Sequence, residues 1–160
     1  MKKTAYITLL LFLAMLMLIL VGVTVVLAAD PQLGTWKLNE AKSKFSKGAT
    51  KNHTVVYEAA GDQVKVTTDG TDSDGKPTHS EWTGKFDGKD YPVTGGLASD
   101  VRSYKKINDR TTEFTGKKDG KVVVTGRVVV AADGKSRTVT TSGTDAQGNK
   151  TGATAVYDKQ

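Results

Sequence analysis

The chain has 160 residues, carries 23 basic and 17 acidic side chains for a net charge of +6, and contains no cysteine. Disulfides, thiolate metal sites and thiol nucleophiles are therefore excluded. The lysines are scattered among Asp-Gly-Lys turns instead of gathered in a run, which describes a solvated surface and no nucleic-acid partner.

Lys2 and Lys3 precede an apolar run from Ala5 to Leu27, and small residues, Ala28 and Ala29, follow just before Asp30 and Pro31. A basic start, an apolar run and a small-residue site make up the layout of a bacterial-type secretory signal. Residues 1–28 are thus expected to be a signal peptide, cleaved after Ala28 or Ala29, and the protein to be periplasmic or secreted. The alternative is an uncleaved anchor, because the run approaches the ~20 residues that cross a bilayer as a helix; membrane contact is then confined to this segment. Without residues 1–28 the chain loses two lysines and no acid, leaving 21 basic and 17 acidic residues and a net charge of +4 over 132 residues. That length holds one core, so residues 29–160 are expected to form a single domain.

Beyond the signal, short β-rich runs alternate with turn residues, and nothing repeats with the 3.6-residue spacing of an amphipathic helix. Strands are predicted over Thr35–Leu38, Thr54–Ala59, Gln63–Thr68, Thr78–Phe86, Asp100–Ile107, Thr111–Lys117, Lys121–Ala131, Ser136–Thr144 and Lys150–Asp158. The links Gly61-Asp62, Asp74-Gly75, Asp87-Gly88, Asn108-Asp109, Asp119-Gly120, Asp133-Gly134 and Gln147-Gly148-Asn149 are rich in residues that tolerate the positive φ of tight hairpins. Only Asn39–Asn52 is not a tight turn. It reads either as a turn or two of helix capped by Asn39 or as irregular surface with Phe45 tucked against the domain.

Side-chain alternation assigns the faces. Trp82, Gly84 and Phe86 share one side of their strand; Val122, Val124, Gly126, Val128 and Val130 share one side of theirs. A sheet of about 8–10 strands with one apolar face must close or split into a sandwich. Successive hairpins favour closure, so the fold class is all-β, an antiparallel up-and-down meander forming a closed barrel. The stretch Val66–Gly75 is also echoed 73 positions later as Val139–Gly148, which reads either as a duplicated half-barrel with two equivalent loops at one rim or as convergent strand-turn composition.

Catalysis finds little support. His53 and His79 are the only histidines, and Ser80, adjacent to His79 on a strand, points to the other face. No plausible acid-base set is present, so a non-enzyme is expected. His79 and Glu81 share a face but make two metal ligands where a catalytic zinc usually takes three. Asp72-Ser73-Asp74-Gly75 has the alternating carboxylates of a calcium loop without its distal acid, and reads as a hairpin tip. No metal or cofactor is expected.

Near the start of the domain stands Leu33-Gly34-Thr35-Trp36-Lys37-Leu38, and near its end Thr154-Ala155-Val156-Tyr157-Asp158-Lys159. In these segments the chain resembles the calycins: lipocalins and intracellular fatty-acid-binding proteins open with Gly-x-Trp, and the latter close on Thr-Arg-x-Tyr-Glu-Lys. The resemblance implies a lipocalin-like barrel around a small apolar ligand. It matches Tyr157 but places Ala155 where that family's carboxylate-binding arginine stands. It also implies an arginine stacked on Trp36, for which Arg127 and Arg137 are the candidates. The expected function is binding of an apolar or amphipathic, lipid-like molecule, with Trp36, Trp82, Phe86, Phe114 and Tyr157 lining the cavity beside the small residues Gly84, Gly126, Ala153 and Ala155. The alternative is a filled barrel serving as a structural or interaction module of the cell envelope, with Tyr91, Tyr104 and threonine-rich strands on its outer surface.

Overall fold

The computed structural model describes residues 30–95, 98–145 and 147–160; the expected signal segment lies outside them. The strands are β1 (Gly34–Leu38), β2 (Lys44–Phe45), β3 (Lys51–Ala60), β4 (Gln63–Thr71), β5 (Pro77–Gly84), β6 (Tyr91–Thr94), β7 (Val101–Asn108), β8 (Thr111–Lys118), β9 (Lys121–Val130), β10 (Ser136–Thr144) and β11 (Lys150–Lys159). All pairings are antiparallel. From β3 to β11 each strand pairs with the next, β3 pairs with β1, and β1 pairs with β11 to close the ring. The fold is a closed ten-strand up-and-down barrel, in which closure removes the free sheet edges.

β1 and β2 occupy one place in the ring. Both pair with β11, β1 opposite Tyr157–Lys159 and β2 opposite Ala153 and Thr154. Between them a single 3-10 turn, Glu40–Lys42, is capped by Asn39, whose Oδ1 accepts from the Lys42 amide at 3.2 Å. The segment after Asn39 thus contains a capped turn, as one reading had it, and also a two-residue strand that sequence pattern does not reveal. Phe45 packs against the core. Likewise β6 is too short to show an alternation, and β3 begins ahead of the predicted Thr54, taking in His53, with a bulge between Asn52 and Thr54.

Burial follows the alternation with two instructive exceptions. Val128 and Val130 point inward, but Val122 is 56 % exposed. The register of β9 against β8 slips between Gly116 and Lys117, from Val124 to Val122, and the extra residue turns Val122 outward. Phe86 lies past the end of β5, yet its ring still packs on the core.

The barrel has two unlike ends. At one, the Asp30–Leu33 turn plugs the ring. Gln32 is buried and donates through Nε2 to the Arg110 carbonyl at 3.3 Å, while the Trp36 indole donates to the Gln32 carbonyl at 2.9 Å. Gly34 makes the close approach possible: its φ is +118°, and a Cβ there would lie 2.8 Å from Lys159 Cε. The other end carries residues 39–50 and the β4–β5, β6–β7, β8–β9 and β10–β11 connections.

Candidate functional site

The interior is built from inward positions of every long strand. Near the plugged end Trp36 (0 % exposed), Tyr57, Trp82, Tyr104 and Tyr157 form the buried core, with Phe86 and Phe114 packed against it. Trp82 and Tyr104 meet edge to face at 4.6 Å between ring centres, Tyr104 lies 5.4 Å from Phe86 and 5.6 Å from Phe114, and Tyr57 approaches both Phe86 and Tyr104 at 6.4 Å. These are the spacings at which aromatic pairs attract beyond simple burial. All five residues named from the sequence, Trp36, Trp82, Phe86, Phe114 and Tyr157, are therefore in or against one core.

Tyr104, expected on the outer surface, is 3 % exposed and central to that cluster, and Tyr91 packs edge-on against Trp82 at 5.8 Å. Inward and outward positions of β7 both carry charged residues, Arg102 on one side and Lys105 on the other, so its polarity pattern does not name its inner face. The small residues also act otherwise than expected. A Cβ on Gly84 would collide with the Tyr91 and Trp82 rings, and one on Gly126 with the Phe114 ring. Both glycines receive an aromatic ring and leave no space.

Arg137, on β10 directly opposite Tyr157, is the arginine that stacks on Trp36, at 4.6 Å from the ring centre, and it also lies over Tyr57 at 4.7 Å and Tyr157 at 5.2 Å. Arg127 faces outward and pairs with Glu113 at 3.1 Å. Arg137 is 2 % exposed. Taking a guanidinium out of water costs several kcal/mol, and desolvated π faces return about 2 kcal/mol each. Three rings thus offset much of the penalty. They do not satisfy the N–H groups: Nε and Nη1 of Arg137 have no acceptor among the described residues. Burial lowers the Arg137 pKa, opposed by the nearby tyrosines, but a guanidinium starts high enough to stay charged.

The same environment acts on the tyrosines. Burial pushes Tyr157 up to about 12 despite the lowering effect of Arg137, and its hydroxyl donates to the Asn52 carbonyl at 2.9 Å. Burial, followed by the neighbouring Tyr104, raises Tyr57, while Arg137 and Arg102 both pull it down. Arg102 reaches inward as well, over the Phe114 ring at 5.6 Å, and its Nε has no acceptor among the described residues. Among the described residues no carboxylate is buried.

Toward the loop end the inner wall changes character. Phe45, Val124, Val139, Thr141 and Ala153 occupy inward positions yet are only partly buried. Two clefts at this end lie outside the core. The larger, about 540 Å³, is bordered by Glu40, Phe45, Lys51 and Asp72; the other, about 230 Å³, by Val122–Thr125, Ser142–Thr144 and Lys150. None of the five sequence-named residues borders either. His79 sits on the outer face, 2.7 Å from Asp69 and 3.9 Å from Glu81, and Ser80 points inward to Thr68 at 2.5 Å. No cluster of three metal-ligating side chains occurs among the described residues.

No family model and no curated protein sequence matches this chain. Among solved structures, EF1p2_mFAP2b bound to DFHBI is similar over 83 % of this chain and 97 % of its own, at 13 % identity and a TM-score of 0.50. The redesigned β-barrel mFAP1 bound to DFHBI covers 82 % and 98 %, at 15 % identity and a TM-score of 0.46. At such identity the first likeness shows the fold alone: a closed antiparallel β-barrel.

Proposed function

We propose that this protein is a non-enzymatic binding protein, exported through its N-terminal segment, that takes an apolar or amphipathic small molecule into the barrel from the loop end. The observation that carries this reading is the contrast between the two ends. One is sealed by Gln32 and Trp36, whereas toward the other the inward positions Val139, Thr141 and Ala153 are only partly buried. About eight strands suffice for a barrel filled by its own side chains or holding one small ligand, so ten leave interior width to occupy. Apolar walls with a few polar groups are the usual composition of small-ligand sites. That the similar barrel EF1p2_mFAP2b was solved with DFHBI bound is in keeping with this use of the fold.

A filled barrel of the cell envelope is the second reading, favoured by the rings packed over Gly84 and Gly126. Titration with the neutral dye N-phenyl-1-naphthylamine separates the two. Saturable fluorescence enhancement at one dye per chain supports the binding reading, and a linear, unsaturated response supports the filled barrel. Export is tested by fractionating cells that express the full chain and weighing the product: a soluble envelope fraction lacking the first 28 or 29 residues is expected, and retention of the full mass in the membrane contradicts it.

A further inference from the structure

Opposite walls of the barrel carry different chemistry on their outer faces. Residues directly opposite each other in an antiparallel pair share a face, so register sorts the outward positions of β8–β11 into rows. The central row runs Glu113, Arg127, Thr140, Thr154. On one side of it lies the row through Val129 and Thr138, on the other the row through Thr125 and Ser142, and neither contains a charged residue. Glu113 and Arg127 are thus the only charges of the three rows, and they neutralise each other at 3.1 Å. Across the barrel, the outward rows of β4 and β5 carry Lys65, Asp69, His79 and Glu81. Among the described residues the exposed large apolar side chains, Ile107, Val122 and Val129, all fall on β7 and β9. Exposed apolar surface gathered on one side of a molecule marks a contact face.

We infer that this wall is the contact face of a homodimer, in which two copies meet β8–β11 against β8–β11 about a two-fold axis near Glu113 and Arg127. Three features select a second copy as the occupant. The chain has a net charge of +6 and like-charged copies repel, so they approach at least cost through a face whose charge is cancelled. A two-fold contact also requires a surface complementary to itself. Half a turn about an axis between Glu113 and Arg127 brings each Arg127 to the other copy's Glu113. Finally, threonine and valine have little rotamer freedom to lose on docking, whereas the lysine and glutamate of the opposite wall have more. Four strands ~4.8 Å apart, each ~8 residues long, offer roughly 500 Å² from each copy. About 1,000 Å² in all is the lower end for a specific contact, so the dimer is reversible. The inference concerns the outer face and stands apart from the ligand reading of the interior.

Because the chain contains no cysteine, one introduced thiol reports the contact without interference. Thr140→Cys lies on the inferred face, and Thr67→Cys, opposite Glu81 on β4, lies across the barrel from it. Cells expressing the full chain are treated with the cross-linker bismaleimidohexane and the products are resolved by denaturing electrophoresis, a readout that holds whether or not the N-terminal segment is removed. The expected result is a species of twice the mass from Thr140→Cys, at about tenfold the yield from Thr67→Cys. Adding either Arg127→Glu or Glu113→Arg to Thr140→Cys is expected to lower that yield about tenfold. Making both charge changes together restores it, and that rescue separates a lost contact from a lost fold. The inference is overturned by no doubled species from Thr140→Cys, by equal yields from the two cysteines, by yields that ignore the single reversals, or by a double exchange that stays monomeric.

Discussion

Two hairpins of this barrel share a backbone plan and differ in what they place inside. β4–β5 pairs Val66 with Trp82 and Thr68 with Ser80; β10–β11 pairs Val139 with Ala155 and Thr141 with Ala153. Their turns match bond for bond. The amides of Asp72 and Asp145 donate to the carbonyls of Lys76 and Asn149, and those of Gly75 and Gly148 to the carbonyls of Asp72 and Asp145. Each aspartate Oδ1 accepts from the amides two and four residues on. Asp72 is thus occupied as a turn former. The repeated sequence specifies these turns and the Val-x-Thr inner face of the first strand. The returning strands then diverge, with Ser80, Trp82 and Gly84 on one and Ala153, Ala155 and Tyr157 on the other. Twin scaffolds therefore give one wall filled by an indole and another lined by methyl groups, from which Tyr157 meets Arg137.

The comparison can be broken most severely on the filled side. Trp82→Ala removes a ring in contact with Phe86, Tyr91 and Tyr104 and is expected to cost about 3–5 kcal/mol, measured by urea unfolding. Next comes Tyr157. At about 12 its folded pKa lies above the usual value of 10, so the folded state holds the proton longer than the unfolded chain does. Its contribution is complete below pH 10 and is lost as pH rises from 10 to 12, about 3 kcal/mol in all. Urea unfolding of wild type and Tyr157→Phe across pH 8–12 should show a steeper alkaline decline in the wild type; parallel curves would refute the assignment.

A single substitution made in both hairpins sharpens the contrast. Ser80→Leu breaks the bond to Thr68 and crowds the filled wall, at about 1–3 kcal/mol, whereas Ala153→Leu is expected to cost less. On the binding reading, Ala153→Leu instead raises the Kd for N-phenyl-1-naphthylamine several-fold. The smallest effect is at the tips. Asp72→Ala and Asp145→Ala, measured by thermal unfolding, should lower the midpoint slightly and to similar extents, with Asp145 the more sensitive because Asn149 Nδ2 also donates to it at 3.0 Å.

What was legible in the sequence follows from what each residue does locally. The Asp-Gly and Asn-Asp turns and the alternation through Trp82 and the β9 valines define hairpins and an inner face, and these suffice for a closed meander. Gly34 and Trp36 mark the sealed end because only glycine tolerates that backbone beside Lys159. The remainder depends on contacts distant in sequence. β2 and β6 exist because a neighbouring strand offers them hydrogen bonds. Val122 faces outward because of a bulge that its own sequence does not announce. Tyr104 faces the core, and because β7 carries charge on both sides its own sequence does not mark that face. Arg137 could be named only as one of two candidates, since stacking on Trp36 is settled by register across the barrel and not by its neighbours Ser136 and Thr138.

The central claim is that the inner wall of β10 and β11 is a ligand surface reached from the loop end. Nuclear Overhauser contacts between bound N-phenyl-1-naphthylamine and the methyl groups of the labelled domain test it directly. The account predicts contacts to Val139, Thr141 and Ala153. Contacts confined to the outward-facing Val122 and Val129, or none at all, would contradict it.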